Sequence, residues 1–346
     1  MGLMSGTSLD GLDIAMCSFH RENQRWKYEL IYSKTYSYNK HWKESLAGAS
    51  HLDSDKLAEL DRKYGNYLGS LINSSMKDAE IEPELIASHG HTVFHNPDMG
   101  YSLQIGHGAN IAGVTGKNVV TDFRSGDIAL GGQGAPLVPA GDKLLFSEYQ
   151  SCLNLGGFSN ISFDFKNERI AFDICPVNIV LNKIAFKMGS EYDNGGSLGR
   201  KGKPIMKLEQ KLNSLAYYDL SPPKSLSKEW LDKYFLPLFE EESSVLEDQM
   251  NTMYRHIAFQ IASTIDKYNL KDVLITGGGA HNNFLMELLK TNTTANLILP
   301  EKTIIDYKEA IVFAFLGLLR SLDIVNCYAS VTGALNNSIV GTVYHG

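Results

Sequence analysis

The stretch Met1-Gly2-Leu3-Met4-Ser5-Gly6-Thr7-Ser8-Leu9-Asp10-Gly11-Leu12-Asp13 decides how this chain is read. A short apolar run enters a Ser-Gly-Thr-Ser turn, and a second apolar run, 12–19, leads out. The expected structure is a strand, a tight turn and a returning strand. Gly6 and Gly11 permit positive φ and close approach of a ligand to the backbone. Ser5, Thr7 and Ser8 add hydroxyls, and converging N–H groups in such a turn attract an anion. Asp10 and Asp13 would repel a phosphate there unless a hard cation such as Mg²⁺ lay between them. Two readings stand at this point: a metal-assisted phosphate hairpin, or a Gly/Ser hairpin with surface acids.

Composition narrows the field around that hairpin. A chain of 346 residues favours two or three domains. With 43% hydrophobic and 21% charged residues it is ordinary globular material able to bury sizeable cores. A net charge of -7 with no basic run argues against nucleic acid or an anionic membrane as partner. Cys17, Cys152, Cys175 and Cys327 are widely spaced, with no Cys-x-x-Cys pair. They read as reduced, mostly buried thiols rather than a disulfide frame or zinc site. The longest apolar run, 311–319, is too short to span a bilayer. No signal peptide precedes the first strand, and the cytoplasm is the simplest compartment. The chain begins almost inside that strand, as one lacking a few native residues would.

Outward from the hairpin, residues 26–36 continue a strand-rich opening. Residues 53–78 carry apolar side chains at helical spacing, Leu57, Leu60, Tyr64, Tyr67, Leu68 and Leu71. A short strand, 85–88, runs into a His89-Gly90-His91-Thr92 turn. A strand over 101–105, a small helix over 109–115 and a strand over 119–122 follow. The Gly-rich stretch 123–139 reads as a hinge or binding loop and as the first domain boundary. At 151 the opening pattern returns: a strand, the turn Gly156-Gly157, an outgoing strand, and a third strand over 169–174. Pro176 suits the first turn of a helix over 177–188. A long helix over 246–268 presents Met250, Met253, Ile257, Ile261 and Ile265 on one face. The strand 273–276 runs into Gly277-Gly278-Gly279-Ala280-His281-Asn282 with a helix directly after. A strand over 297–299 and a helix over 307–319 close the chain. The shared plan implies two similar α/β lobes with a nucleotide between them. The alternative is one large α/β sheet.

These stretches together resemble the anhydro-N-acetylmuramic acid kinase family. The resemblance runs through the opening Gly2 to Gly11, then Ser88-His89-Gly90 and Val120-Thr121-Asp122-Phe123-Arg124. It continues in Gly131-Gly132-Gln133-Gly134-Ala135-Pro136-Leu137-Val138-Pro139, Asn154-Leu155-Gly156-Gly157 and the run from Gly277 to Asn282. It implies an α/β chain of actin/hexokinase/Hsp70-like fold, with two ribonuclease-H-like domains around a nucleotide cleft. Residues 1–129 with 327–346 would form the N-terminal lobe and 130–326 the C-terminal lobe. The implied reaction uses ATP, Mg²⁺ and water. Water opens the 1,6-anhydro ring of anhydro-N-acetylmuramic acid, and the freed O6 takes the γ-phosphoryl group. The product is N-acetylmuramic acid 6-phosphate, a step in cell-wall recycling. The resemblance also implies a homodimer.

The same resemblance assigns roles to residues. Asp173, near the end of its strand, is the implied general base toward the attacking water; without the resemblance, an Asp there reads as a helix cap or ion-pair partner. Gly6, Thr7, Ser8, Leu9, Asp10, Gly11, Leu12 and Asp13 would take the β- and γ-phosphates, with Asp10 at Mg²⁺. Gly156, Gly157 and Asn160 would meet the phosphates from the second lobe. Gly277, Gly278, Gly279 and Asn282 would lie against the adenosine, where absent side chains leave room. His89, Arg124, Asn178 and Glu309 would contact the sugar. Arg suits the lactyl carboxylate of a muramyl sugar, although a salt bridge to Asp122 or Asp127 would also occupy Arg124. Glu309, opening the last helix, would equally suit a helix N-terminus. The loop 131–134 would let the lobes close over the substrates.

Two departures from the family pattern bear on the substrate. Asp173-Ile174-Cys175-Pro176-Val177-Asn178 stands where the family usually has Asp-Thr-Gly-Pro-Gly-Asn, so Cβ atoms occupy positions where backbone could meet a ligand. His91 stands where the family usually has Gln; it offers a polar group to a sugar or serves as a structural donor. The changed loop keeps a kinase of another anhydro-sugar, such as levoglucosan, as an alternative. An actin- or Hsp70-like ATP-driven binding module is a third reading, against which Asp122-Phe123-Arg124 and Asp173 argue.

Overall fold

The structure is a computed structural model that describes residues 1–6 and 9–346. Thr7 and Ser8, both assigned above to the phosphate turn, lie outside the described residues. In chain order the strands are β1 Gly2–Ser5, β2 Gly11–Glu22, β3 Arg25–Ser37, β4 Leu85–Ser88, β5 His91–Asn96, β6 Tyr101–Ile105 and β7 Asn118–Thr121. They continue with β8 Ser151–Leu155, β9 Phe158–Phe165, β10 Glu168–Pro176, β11 Asp272–Thr276, β12 Asn296–Ile298 and β13 Thr342–Tyr344. The chain forms two compact units, Met1–Phe146 with Tyr307–Gly346, and Ser147–Asp306.

The first unit carries a sheet ordered β13-β7-β4-β1-β2-β3 and a separate β5-β6 hairpin. β1, β2 and β3 form an antiparallel meander, while β4 and β7 run parallel to β1. The second unit carries the order β10-β9-β8-β11-β12. There β8, β9 and β10 are the antiparallel meander, and β11 and β12 run parallel to β8. Apart from β13, the two sheets therefore repeat one ribonuclease-H-like topology. The pattern duplication read from the sequence is real, and one large sheet is excluded.

Helices bury the faces their spacing announced. In Ser54–Ala79 the Asp53 carboxylate accepts the Lys56 N–H at 2.9 Å, capping the helix start. Its Tyr64, Leu68 and Ile72 are fully buried in one core with Leu3, Ile14 and Ile86. In Leu246–Lys267 the predicted row Met250, Met253, Ile257, Ile261 and Ile265 is buried with Leu153, Ile161 and Ile275. All four cysteines are free thiols, three of them buried. Among the described residues no helix is long and apolar enough to cross a membrane.

Five expectations need correction. The His89 to Thr92 turn is only His89-Gly90, because His91 already starts β5. The stretch 123–139 is partly helical, with helices Ser125–Ala129 and Val138–Leu145. Its Gly-rich loop is bound to its own unit: the Gly134 N–H donates to Asp127 Oδ2 at 2.8 Å and the Gln133 N–H to the Thr332 carbonyl at 2.9 Å. Pro176 ends β10, and the helix starts at Asn178, since the Val177 and Ile179 N–H groups are taken by the Gly157 carbonyl. The last long helix is Lys302–Ser321, with a short one at Ala329–Thr332 after it, so Glu309 lies well inside the long helix and no helix-terminus role applies.

The unit boundaries also differ from 1–129 with 327–346 and 130–326. Residues 130–146 and 307–326 belong to the first unit. Phe146 packs edge-on against Tyr28, Lys308 pairs with Asp142 at 2.6 Å, and Gly2 leaves no space between its backbone and Ala310 and Ala314.

Candidate functional site

In the first unit, the candidate residues follow the carboxyl ends of the parallel strands. The opening turn follows β1, His89 follows β4, and Asp122 to Arg124 follow β7. Carboxyl ends of parallel strands are where α/β sheets collect ligands. Leu9 takes the left-handed conformation at φ 59°, and the Asp10 carbonyl accepts the Tyr38 N–H at 3.1 Å. The Asp10 side chain is exposed and Asp13 is half-buried beside it in sequence. The Thr35 hydroxyl donates to Asp13 Oδ1 at 2.5 Å. Among the described residues Gly6 contributes a carbonyl, 3.5 Å from the Leu9 N–H.

Two members of the hairpin act inward. Gly11 does not have positive φ; a Cβ there would lie 2.7 Å from the Tyr36 carbonyl oxygen, so β3 demands this glycine. The Leu12 side chain belongs to the core. His91 is buried, with Nδ1 3.4 Å from Ser5 Oγ, which also accepts the Tyr38 hydroxyl at 2.8 Å. Burial holds His91 below its ordinary value, which favours its structural role.

His89 and Arg124 form a pair. An Arg124 Nη2 hydrogen lies toward His89 Nε2 at 2.9 Å, and His89 Nδ1 is 3.0 Å from the Gly90 carbonyl oxygen. The His89 ring also packs on Phe313, 4.8 Å between centroids. Burial first, and the neighbouring guanidinium second, push His89 down to about 3. Arg124 is itself lowered to about 10 by burial, against the attraction of Glu309. Burial raises Glu309, Lys308 opposes that rise, and Asp13 and Asp142 add to it. Neither Asp122 nor Asp127 pairs with Arg124. Asp122 accepts the Ser125 N–H, and Asp127 accepts from Gly134, Cys327 and Thr332. The Arg124 Nε is buried without a hydrogen bond. A buried guanidinium with an unmade bond is a receptor for an anion.

In the second unit, cross-strand register assembles a polar row. Thr276 of β11 pairs with Asn154 of β8, Asn154 with Asn160 of β9, and Asn160 with Asp173 of β10. Directly paired residues share a face of the sheet. The row lies at the carboxyl ends of β8 and β11. Thr276 Oγ1 is buried without a partner. Asp173 Oδ2 accepts the Leu226 N–H at 2.9 Å, and no hydrogen bond among the described residues reaches Oδ1. Burial raises Asp173 to about 6, with the Leu226 N–H opposing. That places its deprotonation near the pH at which a general base works well.

The glycine turns of this unit have mixed roles. The Gly156 and Gly157 carbonyls accept the N–H groups of Asn178, and of Val177 and Ile179, at the following helix start. Asn178 Nδ2 donates to the Leu155 carbonyl at 3.1 Å, so Asn178 stands with the glycine turns. Gly277 has φ 83°, and a Cβ there would lie 2.3 Å from Asn154 Oδ1; one at Gly279 would lie 2.8 Å from Leu155 Cβ. Those two glycines make room for β8, whereas Gly278 is exposed and a Cβ there would meet Asn178 Nδ2 only at an ordinary contact distance of 3.8 Å. Asn282 Oδ1 accepts the Leu285 N–H at 3.0 Å while its Nδ2 donates to the Tyr254 hydroxyl at 2.6 Å. Its amide is thus committed to holding the loop and the helix start.

The departures that follow Asp173 are buried in the protein. Ile174, Cys175 and Val177 are all core residues of the second unit. Sequence reasoning missed Asn154, Thr276 and the segment 217–226 that reaches Asp173. Asn154 was visible as a strand residue, but nothing local marks its alignment with Asp173.

Among the described residues no group of three or more His, Cys, Asp or Glu could hold a metal ion. Mg²⁺ needs only one or two carboxylates when phosphates and water complete its shell. The exposed Asp10 fits that requirement.

The chain matches the family described as anhydro-N-acetylmuramic acid kinase over residues 1–346. An anhydro-N-acetylmuramic acid kinase of Pseudomonas fluorescens is 33% identical, covering 99% of this chain and 98% of that protein. Another, from Crocosphaera subtropica, is 31% identical over 99% of this chain and 98% of its own. A third, from Legionella pneumophila, is 32% identical over 99% and 97%. Solved structures include a ROK family glucokinase from Streptomyces griseus in complex with glucose and AMPPNP, at 11% identity and a TM-score of 0.40, covering 92% of this chain and 98% of that one. The repeated strand order, not that distant likeness, establishes the fold. By its profile match and its relatives, the chain belongs to the anhydro-N-acetylmuramic acid kinase family.

Proposed function

We propose that this protein is a kinase that hydrolytically opens 1,6-anhydro-N-acetylmuramic acid and phosphorylates its O6, forming N-acetylmuramic acid 6-phosphate in cell-wall recycling. The observation that carries this reading is Asp173: a carboxylate raised to about 6 by burial, anchored through Oδ2, with Oδ1 unbonded. Asp173 takes a proton from water as that water bonds to C1 of the sugar. The C1–O6 bond breaks, and O6 bonds to the γ-phosphorus of ATP as the bond to the β-phosphate oxygen breaks. Asn160 and Asn154, aligned with Asp173, offer amide groups along the same face.

Arg124 binds the lactyl carboxylate, which its buried charge and unmade Nε bond suit. His89 holds Arg124 in place, and Glu309 balances its charge. The opening hairpin, Gly156 and Gly157 receive the phosphates, and the loop of Gly277, Gly278 and Gly279, held by Asn282, receives the nucleoside. Asp10 would hold Mg²⁺, which neutralises phosphate charge when bound. Free, mostly buried thiols suit the cytoplasm. The family resemblance favours a homodimer, and the net charge of -7 speaks against nucleic acid.

Levoglucosan has no carboxylate for Arg124, and the altered residues after Asp173 point into the core. Both observations weigh toward the muramyl sugar. The test is phosphoryl transfer from ATP with Mg²⁺ to anhydro-N-acetylmuramic acid, with levoglucosan in parallel and Asp173→Asn as control. Turnover of the muramyl sugar that collapses in the variant supports the reading. Turnover of levoglucosan alone would replace the substrate, and no turnover with intact ATP binding would leave a binding module.

A further inference from the structure

β10 is an edge strand, so one row of its N–H and C=O groups has no strand partner. At Asp173 that row is filled by one segment, residues 217–226. The Asp173 N–H donates to the Lys224 carbonyl at 3.2 Å. The Tyr217 hydroxyl donates to the Asp173 carbonyl at 2.6 Å. The Leu226 N–H donates to Asp173 Oδ2 at 2.9 Å. Three bonds from one segment thus converge on one residue of the edge. The β9–β10 register shifts between Asp173 and Cys175, a bulge that bends the strand where the carboxylate emerges.

The segment is itself braced. Lys224 Nζ donates to the Tyr217 carbonyl at 3.2 Å and lies 4.6 Å from the Tyr217 ring centroid. The Tyr217 ring packs on Trp230 at 5.3 Å. The Tyr218 hydroxyl lies 2.9 Å from His256 Nε2, and His256 Nδ1 lies 2.6 Å from Asn213 Oδ1. His256 is fully buried and held far below its ordinary value, so this contact persists unchanged across the working pH range. Tyr217 and Leu226 are buried as well.

We propose that the segment 217–226 is the positioning element of the base: it anchors Oδ2 and the backbone of Asp173 so that Oδ1 alone is presented to the attacking water. The proposal rests on the reading of Asp173 as general base. Among the described residues, Tyr217, Cys175 and Lys224 are titratable neighbours of Asp173. Burial raises Tyr217 and Cys175, and Lys224 is lowered from 10.5 by burial.

The test compares three variants by the pH profile of kcat. Leu226→Pro removes the N–H donor, and Leu226→Ala shortens the same side chain but keeps the donor. One backbone donor shifts a carboxylate by roughly one unit. Leu226→Pro should therefore move the acid limb up by about one unit and lower plateau kcat, while Leu226→Ala keeps the limb at the native pH. Tyr217→Phe should lower kcat about tenfold, with KM for both substrates unchanged. A folded Leu226→Pro with the native acid limb overturns the proposal, as does a Tyr217→Phe with native kcat. If Leu226→Pro does not fold, Tyr217→Phe decides alone. Full activity in Asp173→Asn overturns the base reading instead, an outcome separate from these.

Discussion

Arg124 Nη2 and His89 Nε2 lie 2.9 Å apart, and that contact sets the tautomer of the histidine. A guanidinium only donates, so Nε2 is the acceptor. The opposite nitrogen, 3.0 Å from the Gly90 carbonyl, carries the proton, since a carbonyl only accepts. His89 is therefore neutral, in agreement with its lowering to about 3. A charged His89 would place two cations in one buried site.

The first prediction follows from that tautomer. His89 should show no titration between pH 5 and 9, with a protonated Nδ1 and a bare Nε2 in ¹⁵N-resolved NMR of the ring. His89→Ala leaves the Arg124 guanidinium without its acceptor. Loss of one hydrogen bond to a charged group costs about 1.5–3 kcal/mol, so kcat/KM for the sugar should fall by roughly 10- to 100-fold. A ring that titrates near pH 6.5 would contradict the assignment.

Arg124 should contribute mainly to sugar affinity. Arg124→Ala removes a buried cation with an unmade bond, and KM for the anhydromuramyl substrate should rise by roughly 10- to 100-fold. Arg124→Lys should restore little, because an ammonium cannot reproduce the forked geometry. Steady-state kinetics with ATP saturating checks both. An unchanged KM in Arg124→Ala would remove Arg124 from the sugar site.

Asp173 predicts a pH dependence with a definite sign. As the proposed base it must be ionised, so activity should fall as pH drops through about 6. The same shift affects stability in the opposite sense. A carboxyl whose folded value lies above its unfolded value stabilises the fold fully only below about 3.8, and that contribution is lost as pH rises through about 6. Asp173→Asn removes the cost of the buried charge. It should be more stable than the native protein at pH 8, by up to about 2–3 kcal/mol and hence with a higher Tm, and show no such gain at pH 4. Its kcat should be lower by about 10²- to 10⁴-fold. Thermal unfolding at the two pH values and one activity profile settle the matter.

Gly277 joins backbone geometry to the loop proposed to receive the nucleoside. Its φ of 83° and the 2.3 Å from a Cβ to Asn154 Oδ1 both exclude a side chain. Gly277→Ala should destabilise the protein by about 1–3 kcal/mol and weaken ATP binding. Gly278→Ala, exposed and with its Cβ no closer than 3.8 Å to Asn178 Nδ2, should leave stability within about 0.5 kcal/mol. Denaturant unfolding of the pair provides the comparison, and equal losses would contradict the packing described.

Much of the fold was legible because its signals are local. The strands Leu85–Ser88 and Tyr101–Ile105 lie where apolar runs between turn residues put them. The helix Leu246–Lys267 buries the row its spacing announced. The helix Lys302–Ser321 begins earlier than its spacing predicts because Ile304 and Ile305 are β-branched residues that read poorly as helix, whereas their N–H groups bond to the Glu301 carbonyl.

The sequence by itself determined the repeated plan of strand, glycine turn and returning strands and the acidic balance, and it supplied the residues here proposed for phosphoryl transfer. The plan depends on spacing within a few residues, which periodicity and turn chemistry specify directly, and the balance on composition alone. Only the tertiary structure decided that Thr276, Asn154, Asn160 and Asp173 align, since strand register pairs residues distant in sequence. It alone decided that Ile174, Cys175 and Val177 point into the core, and that Gly277 and Gly279 accommodate β8. It alone brought Tyr217 and Leu226 to Asp173, because the partner of an edge strand is chosen by packing at long range, on which no local pattern reports.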